Sequence, residues 1–427
     1  MGAELEAPLM GAAAAMGTPV RGAVFVLTNT ILGAGMLGLP FAFASCGFLV
    51  GPCMLLMFAC TSVTALFMLA ECGDCAGRPA TFNSVAERAM PGSGILIDVA
   101  VAIKCFGVAT SYLIVIGDSV PKSVVSFGGS GIWLERRTWT LLALVFAAPL
   151  AYMKKITALR NVALAALTCV LLITVMIFLF SLNLGEPFDQ CPADGAIATS
   201  CPPGPVVPFT TPVGTLRALP LFVFSYTCHQ NIFSITNELH MPTRSRNLLV
   251  CASAVGTALC VYIVLGGAGY MTFGNKVAHD ILANYPATNM IVSLARLAIS
   301  FVVTCCYPLQ AHPTRACLTT IANRLLGGGL DANVVHYTIT TVFVLTTATI
   351  AMLIDDLGIV LSIVGATGST IVSYILPGLC YLLLFPKRAT RWVGLVLLIA
   401  GVCFMSVSLY LIFFGASVGH RRALASI

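Results

Sequence analysis

The sequence predicts an all-α membrane protein of eleven transmembrane helices, and three observations carry that expectation. The 427 residues are 58% hydrophobic and only 9% charged, where a soluble domain carries about 25% charged residues. Apolar runs of about 18 residues or more recur along the whole chain, each long enough to cross about 30 Å of hydrocarbon. These runs are too long for the alternating strands of an outer-membrane barrel. That leaves helices, which satisfy their backbone polar groups internally.

Taken in order, the spans are expected near 22–48, 50–70, 94–121, 139–153, 161–184, 214–239, 247–273, 287–312, 333–354, 356–385 and 392–415. The leader, residues 1–20, has no basic start, and its first charges are Glu4 and Glu6, so it lacks the pattern of a signal peptide. Glu6 also occupies the position where a myristoylation pattern requires Ser or Thr. The expected organisation is a flexible cytoplasmic tail over 1–20, a transmembrane domain over 21–417 and a C-terminal tail over 418–427.

Loop charges set the orientation. Lys154, Lys155 and Arg160 follow the fourth span, Arg244 and Arg246 the sixth, Arg315 and Arg324 the eighth, and Lys387, Arg388 and Arg391 the tenth. All four loops fall on one side, which the positive-inside rule makes cytoplasmic, together with the N-terminus. The acidic loop after span five, with Glu186, Asp189 and Asp194, falls on the other side. Lys122, Arg136 and Arg137 are the exceptions on that outer side. A net charge of +6 spread over short loops is no nucleic-acid signature, and a monomer is expected.

Most of the 17 cysteines fall within apolar spans, where a thiol behaves as a small hydrophobe. Cys191 and Cys201 share the outer loop and are a disulfide candidate in an oxidising compartment. Cys72 and Cys75 form a C-x-x-C in the loop after span two, with no second pair nearby to complete a zinc site. No metal centre or cofactor is expected beyond a coupling ion, Na+ or H+.

The first span contains "NTILGAGMLGLPFA", in which Gly33 to Gly38 spells G-x-G-x-x-G. A dinucleotide site would need a preceding strand and an acidic residue about 20 positions on. Here the preceding segment is apolar and the next acid is Glu71, so the nucleotide reading fails. The glycines instead weaken the helix, by up to about 1 kcal/mol each relative to alanine. Unwinding at this point would free the amides of Ala34, Gly35 and Met36 for a carboxylate, and nearby carbonyls for an ammonium group. The plain alternative is close helix packing, which better suits Gly47 and Gly51. The sixth span, "ALPLFVFSYTCHQNIFSITNEL", carries Pro220 and then Ser225, Thr227, His229, Gln230 and Asn231 at membrane depth. Interrupted helices five spans apart point to a transporter's binding site.

These two segments, with "GYMTFGN" followed by "DILANYP" and with "DDLGIVLSIVGATGSTIVSYILPGLCYL", resemble the amino acid/auxin permease family from about Arg21 to Phe385. That family includes sodium-coupled neutral amino-acid transporters and vacuolar amino-acid transporters, and the sixth-span motif leans toward the vacuolar branch. The resemblance implies a LeuT-type arrangement of two inverted five-helix repeats plus one helix, with secondary active transport, by symport or antiport, through alternating access. It matches the unwound first helix at Asn29, Thr30, Gly33, Ala34 and Gly35; with Met36 from the same break, and Phe224, Ser225 and Thr227 from the interrupted sixth span, these are the expected substrate residues. For an ion site it implies Asn29 and Thr304, which lies four residues before Pro308. Cys306 stands where sodium-coupled members often have threonine, and a thiol is a poor ligand for a hard cation.

Among the remaining polar residues, His229 suits proton coupling, with a hydrogen-bonded structural histidine as the alternative. Lys104, Asp118 and Arg296 fall within spans, where ionisable groups face a partner or a cavity. Asp118 and Arg296 are candidates to pair with each other. Asp355 and Asp356 are read as solvated turn residues, Glu238 as a cap, and the small residues 365–369 as a packing surface. With no basic residue next to the glycine motif, neutral amino acids are the favoured class. The rivals are a membrane amino-acid sensor that binds without translocating, a channel, for which no filter motif is visible, and an enzyme, for which the six histidines form no catalytic set. The compartment is left open between a vacuolar or lysosomal membrane and the plasma membrane.

Overall fold

The computed structural model describes residues 17–153, 160–189, 201–326, 331–354 and 356–414, and these residues are helical with short connections. The helices are α1 (Val20–Ile31), α2 (Leu39–Cys46), α3 (Val50–Ala76), α4 (Phe82–Ala89), α5 (Gly94–Ser126), α6 (Arg136–Ala151), α7 (Arg160–Ser181), α8 (Pro212–Ser225) and α9 (Ile232–Glu238). They continue with α10 (Arg244–Phe273), α11 (Met290–Leu325), α12 (Ala332–Leu353), α13 (Leu357–Val364), α14 (Leu376–Leu384) and α15 (Arg391–Phe413). Two π-helical turns, Gly365–Ser369 and Ile371–Ile375, join α13 to α14 into one continuous rod.

Among the described residues, 8 helical rods are long and apolar enough to cross a membrane, and joining the bent α1 and α2 gives 9. The protein is a multi-pass membrane protein. α6 has 16 residues, and the expected sixth span is divided between α8, with 14, and α9, with 7.

Both expected interruptions are present. α1 and α2 are bent by 47° across the glycine segment. α8 begins on a Thr211 cap, its hydroxyl accepting from Gly214 N–H at 3.2 Å, and ends at Ser225. A short 3-10 turn, His229–Asn231, then leads into α9. α5 and α11, 33 and 36 residues long, lie against each other along much of their lengths and flank the broken pair. At 1.5 Å per residue each exceeds the hydrocarbon thickness, so both are tilted or project beyond it.

Two boundaries differ from the sequence reading for the same reason. Lys122 lies inside α5, and Pro313 and Arg315 lie inside α11, where the sequence placed loops. The buried Arg315 donates to the carbonyls of Ala151 and Met153 at 2.7 and 3.2 Å, which satisfies a cation within a helix. Likewise Cys72 and Cys75 belong to the last turns of α3 rather than to a loop, and both are free thiols. Gly47 is a turn residue as well as a packing one. With φ 102° it ends α2, while Gly51 receives the Phe43 ring, 2.7 Å from where a Cβ would stand.

Candidate functional site

The first break starts where α1 stops. Leu32 leaves helical geometry (ψ 70°), Gly33 is extended (φ −115°, ψ −156°), and a 3-10 turn runs over Ala34–Gly38. Met36 N–H bonds the Gly33 carbonyl at 3.2 Å, so the expectation that its amide is free is corrected. The N–H groups of Ala34 and Gly35 find no acceptor among the described residues.

The second break lies directly against the first. The Ser225 hydroxyl is 3.2 Å from the Gly35 carbonyl, and Asn231 Nδ2 donates to the Thr30 hydroxyl at 3.3 Å. A Cβ at Gly35 would stand 2.9 Å from the Phe224 ring and 3.1 Å from Ser225 Cα, so only glycine allows this approach. From α10, the Tyr262 hydroxyl reaches the carbonyls of both Ile31 and Ser225.

Between the breaks lies a cavity of about 20 Å3, room for about one water molecule. Thr30, Gly33, Ala34, Gly35, Phe224, Ser225 and Thr227 line it, which brings together seven residues that the sequence places at the substrate. Asn29, Met36, His229 and Thr304 are outside its lining. The sequence reading missed Lys104, Tyr112 and Gln310 as members of this site, and gave Gln230 no role there. Gln310 stands two residues after Pro308, and Lys104 interrupts an apolar run; these were the available signals. Lys104 also removes the ground for preferring neutral substrates, because a basic residue does stand beside the glycine break.

Several of the groups around this space have no partner among the described residues. Gln230 lacks one for both Oε1 and Nε2, and Gln310 for Oε1, although both side chains are buried. Leaving such groups unpaired inside a protein is costly, so they mark a place that a polar ligand would satisfy.

The candidate ion residues are arranged differently from expectation. Asn29 is buried and directs Nδ2 to the Cys306 sulfur at 4.0 Å, while its Oδ1 has no partner among the described residues. Thr304 is half-buried and donates to the Ser300 carbonyl at 2.7 Å. His229 is fully buried, with Nδ1 at 2.9 Å from the Ser373 hydroxyl, and Ser373 in turn is 3.4 Å from the Thr227 hydroxyl on the cavity wall. His229 therefore reaches the cavity through two hydroxyls.

Asp118 and Arg296 do not pair. Asp118 is held by Arg136 at 2.7 Å, which also accounts for a basic residue on the expected outer side. Arg296 is fully buried and clamps the segment before α11 by donating to the carbonyls of Leu282, Tyr285 and Pro286. Burial lifts the carboxyl of Asp280, in that segment, above its usual range, against the pull of Lys122 and Arg296. Asp356 is more than a solvated turn residue: it caps α13 through Gly358 N–H at 2.7 Å and meets His279 Nδ1 at 3.0 Å. Asp355 lies outside the described residues. Glu238 contributes its carbonyl to the Thr18 N–H, and Thr18 and Leu239 form a parallel bridge. Cys201 is the only cysteine among the described residues without a free thiol, and Cys191 lies outside them.

The family model for transmembrane amino acid transporter proteins matches residues 16–419. Vacuolar amino acid transporter 5 of Schizosaccharomyces pombe is 34% identical over 86% of this chain and 85% of its own length. Vacuolar amino acid transporter 6 of Saccharomyces cerevisiae is 32% identical over 90% of this chain and 97% of its own. Sodium-coupled neutral amino acid transporter 7 of Homo sapiens is 28% identical over 85% and 79%. These relatives are transporters and not enzymes, and with a match that spans nearly its whole length this chain belongs to the transmembrane amino acid transporter family.

Proposed function

We propose that this protein is a secondary active amino-acid transporter that binds its substrate between the two helix breaks and works by alternating access. The observation that carries the reading is the junction itself. Two backbone N–H groups without an acceptor among the described residues, of Ala34 and Gly35, border a small space lined also by Gln230, whose Oε1 and Nε2 have no partner among those residues, and by Gln310, whose Oε1 has none. The amides suit the α-carboxylate, and Gln310 Oε1 is an acceptor for the α-ammonium. The cavity is too small for an amino acid, so binding requires the two broken helices to separate; closing over the substrate is the step expected of a rocking bundle.

The same proposal includes eleven spans in two inverted sets of five plus one, with α8 and α9 as the halves of the sixth, a cytoplasmic N-terminus and a monomeric unit. The names of the relatives of 30% identity and above favour a vacuolar-type membrane. Proton coupling is preferred to sodium. A hydroxyl path joins His229 to the cavity, and a cysteine sulfur lies against Asn29 where a hard cation would want oxygen.

Uptake of a labelled amino-acid panel into proteoliposomes, under an imposed pH gradient or a sodium gradient, tests this. Proton-driven uptake indifferent to sodium is the expected result. Uptake that requires sodium and is lost in Thr304→Ala overturns the proton assignment. Saturable binding with no uptake under either gradient overturns transport and leaves a sensor.

A further inference from the structure

Lys104 lies near the first third of α5, is 1% exposed, and lines the cavity beside Gly33–Gly35. Its ammonium makes no hydrogen bond or ion pair among the described residues. The titratable groups that act on it are Cys105, Cys228 and His229, and none of these is a carboxylate. The acids of its own helix are committed elsewhere. Asp98, about 9 Å away along the axis, accepts from Asn83 at 2.8 Å. Asp118, about 21 Å away, is bound to Arg136. Among the described residues, no acidic side chain lines the cavity.

The position of the lysine is fixed by packing. A Cβ on Gly368 would stand 2.7 Å from Lys104 Cβ and 2.9 Å from its Cα, so α5 runs in contact with the π-helical rod at this residue. An isolated buried cation in a membrane protein is expensive and ordinarily meets an anion. The described residues supply none here, which leaves the substrate to bring it.

Resting on the transporter reading above, we propose that the site selects amino acids with a second carboxylate, aspartate or glutamate, and that Lys104 pairs with that side-chain anion. The site then has a complementary group for each charge. The Ala34 and Gly35 amides take the α-carboxylate, Gln310 Oε1 the α-ammonium, and Lys104, assisted by Gln230 Nε2, the side-chain carboxylate. Lys104 thereby becomes a specificity residue.

The test compares uptake of L-glutamate and L-aspartate with L-glutamine and L-asparagine in proteoliposomes of wild type, Lys104→Gln and Lys104→Arg, together with the shift each amino acid gives to the unfolding midpoint in detergent. The wild type is expected to favour the acids. Lys104→Gln is expected to lower the glutamate-to-glutamine uptake ratio by about ten- to a hundred-fold, the size of a lost charged hydrogen bond, while glutamine still stabilises it. Lys104→Arg keeps the charge and is expected to keep the preference. A wild type that prefers neutral amino acids, or a ratio unchanged in Lys104→Gln with uptake retained, overturns the assignment. Loss of proton dependence for every substrate at an unchanged ratio also overturns it, and makes the lysine a proton carrier. Stabilisation of the wild type by glutamate, lost in Lys104→Gln, with no uptake of anything under any gradient, would overturn transport and leave the site assignment standing.

Discussion

The hydroxyl of Tyr262 lies 2.7 Å from the carbonyl oxygen of Ile31, the last residue of α1. It is also 2.8 Å from the carbonyl of Ser225, the last residue of α8. One side chain from α10 therefore serves the buried ends of both half-helices. Each break leaves carbonyls with no helical partner, and in a buried site those must find a donor. Tyr262→Phe keeps the ring and removes that donor. We expect a loss of about 1–3 kcal/mol, read as a lower unfolding midpoint in detergent, with a larger fall in uptake than in protein yield. An unchanged midpoint would mean that the two carbonyls are satisfied without the hydroxyl.

The two glycines of the break are predicted to behave differently. At Gly35 a methyl group would collide with the Phe224 ring and the Ser225 backbone, and overpacking of this kind costs about 1–3 kcal/mol. At Gly33 the nearest atom is the Tyr112 hydroxyl at an ordinary 3.4 Å. Gly35→Ala should therefore lower both stability and uptake. Gly33→Ala should leave the unfolding midpoint nearly unchanged and reduce uptake, since the added methyl narrows a space that Gly33 lines. Equal loss of stability in the two variants would contradict this assignment of roles.

His229, Ser373 and Thr227 form a chain of polar groups from a buried imidazole to the cavity wall. If this chain carries the coupling proton, His229→Gln and Ser373→Ala should each reduce uptake driven by a pH gradient by about a hundred-fold or more, the lower end of what a positioned acid–base group contributes. Exchange of labelled for unlabelled substrate at equal pH should persist in both variants. Loss of exchange together with driven uptake would make these residues structural.

Outside the spans, Glu87 in α4 accepts from Gly92 N–H at 2.8 Å and pairs with Arg324 at 3.0 Å. The Gly92 amide first, and then Arg324, hold its carboxyl below the usual range. A folded value below the unfolded one, about 4.3, gives stability that is fully present above that value and lost as pH falls through the folded one. The unfolding midpoint should therefore decline on the acid side below about pH 4.3, and Glu87→Gln should flatten that decline and leave the midpoint at pH 7 lower than wild type. An identical acid limb in the variant would remove Glu87 as its source.

The sequence disclosed the two breaks because their causes are local: glycines in one span and a run of polar residues in the other. It also placed most of the cavity's wall, since Thr30, Gly33 to Gly35 and Phe224 to Thr227 belong to those same segments. What it could not disclose is which residues of intact helices face the breaks. Lys104 is 71 positions from Gly33, and its place depends on how α5 rotates against the rod that contains Gly368. Arg315 was misread as a loop residue for a related reason: charge in a sequence suggests solvent, whereas here Ala151 and Met153 supply carbonyls to a buried guanidinium. Asp118 found Arg136 rather than Arg296 because Arg296 was already occupied by three carbonyls of the preceding segment.

The closeness of the two breaks has an electrical consequence. With room for about one water molecule between them, the junction itself holds no continuous file of water. On the transporter reading proposed above, a gradient across the membrane is spent only when the half-helices part, and the tightness set by Gly35 against Ser225 would then limit what escapes between cycles.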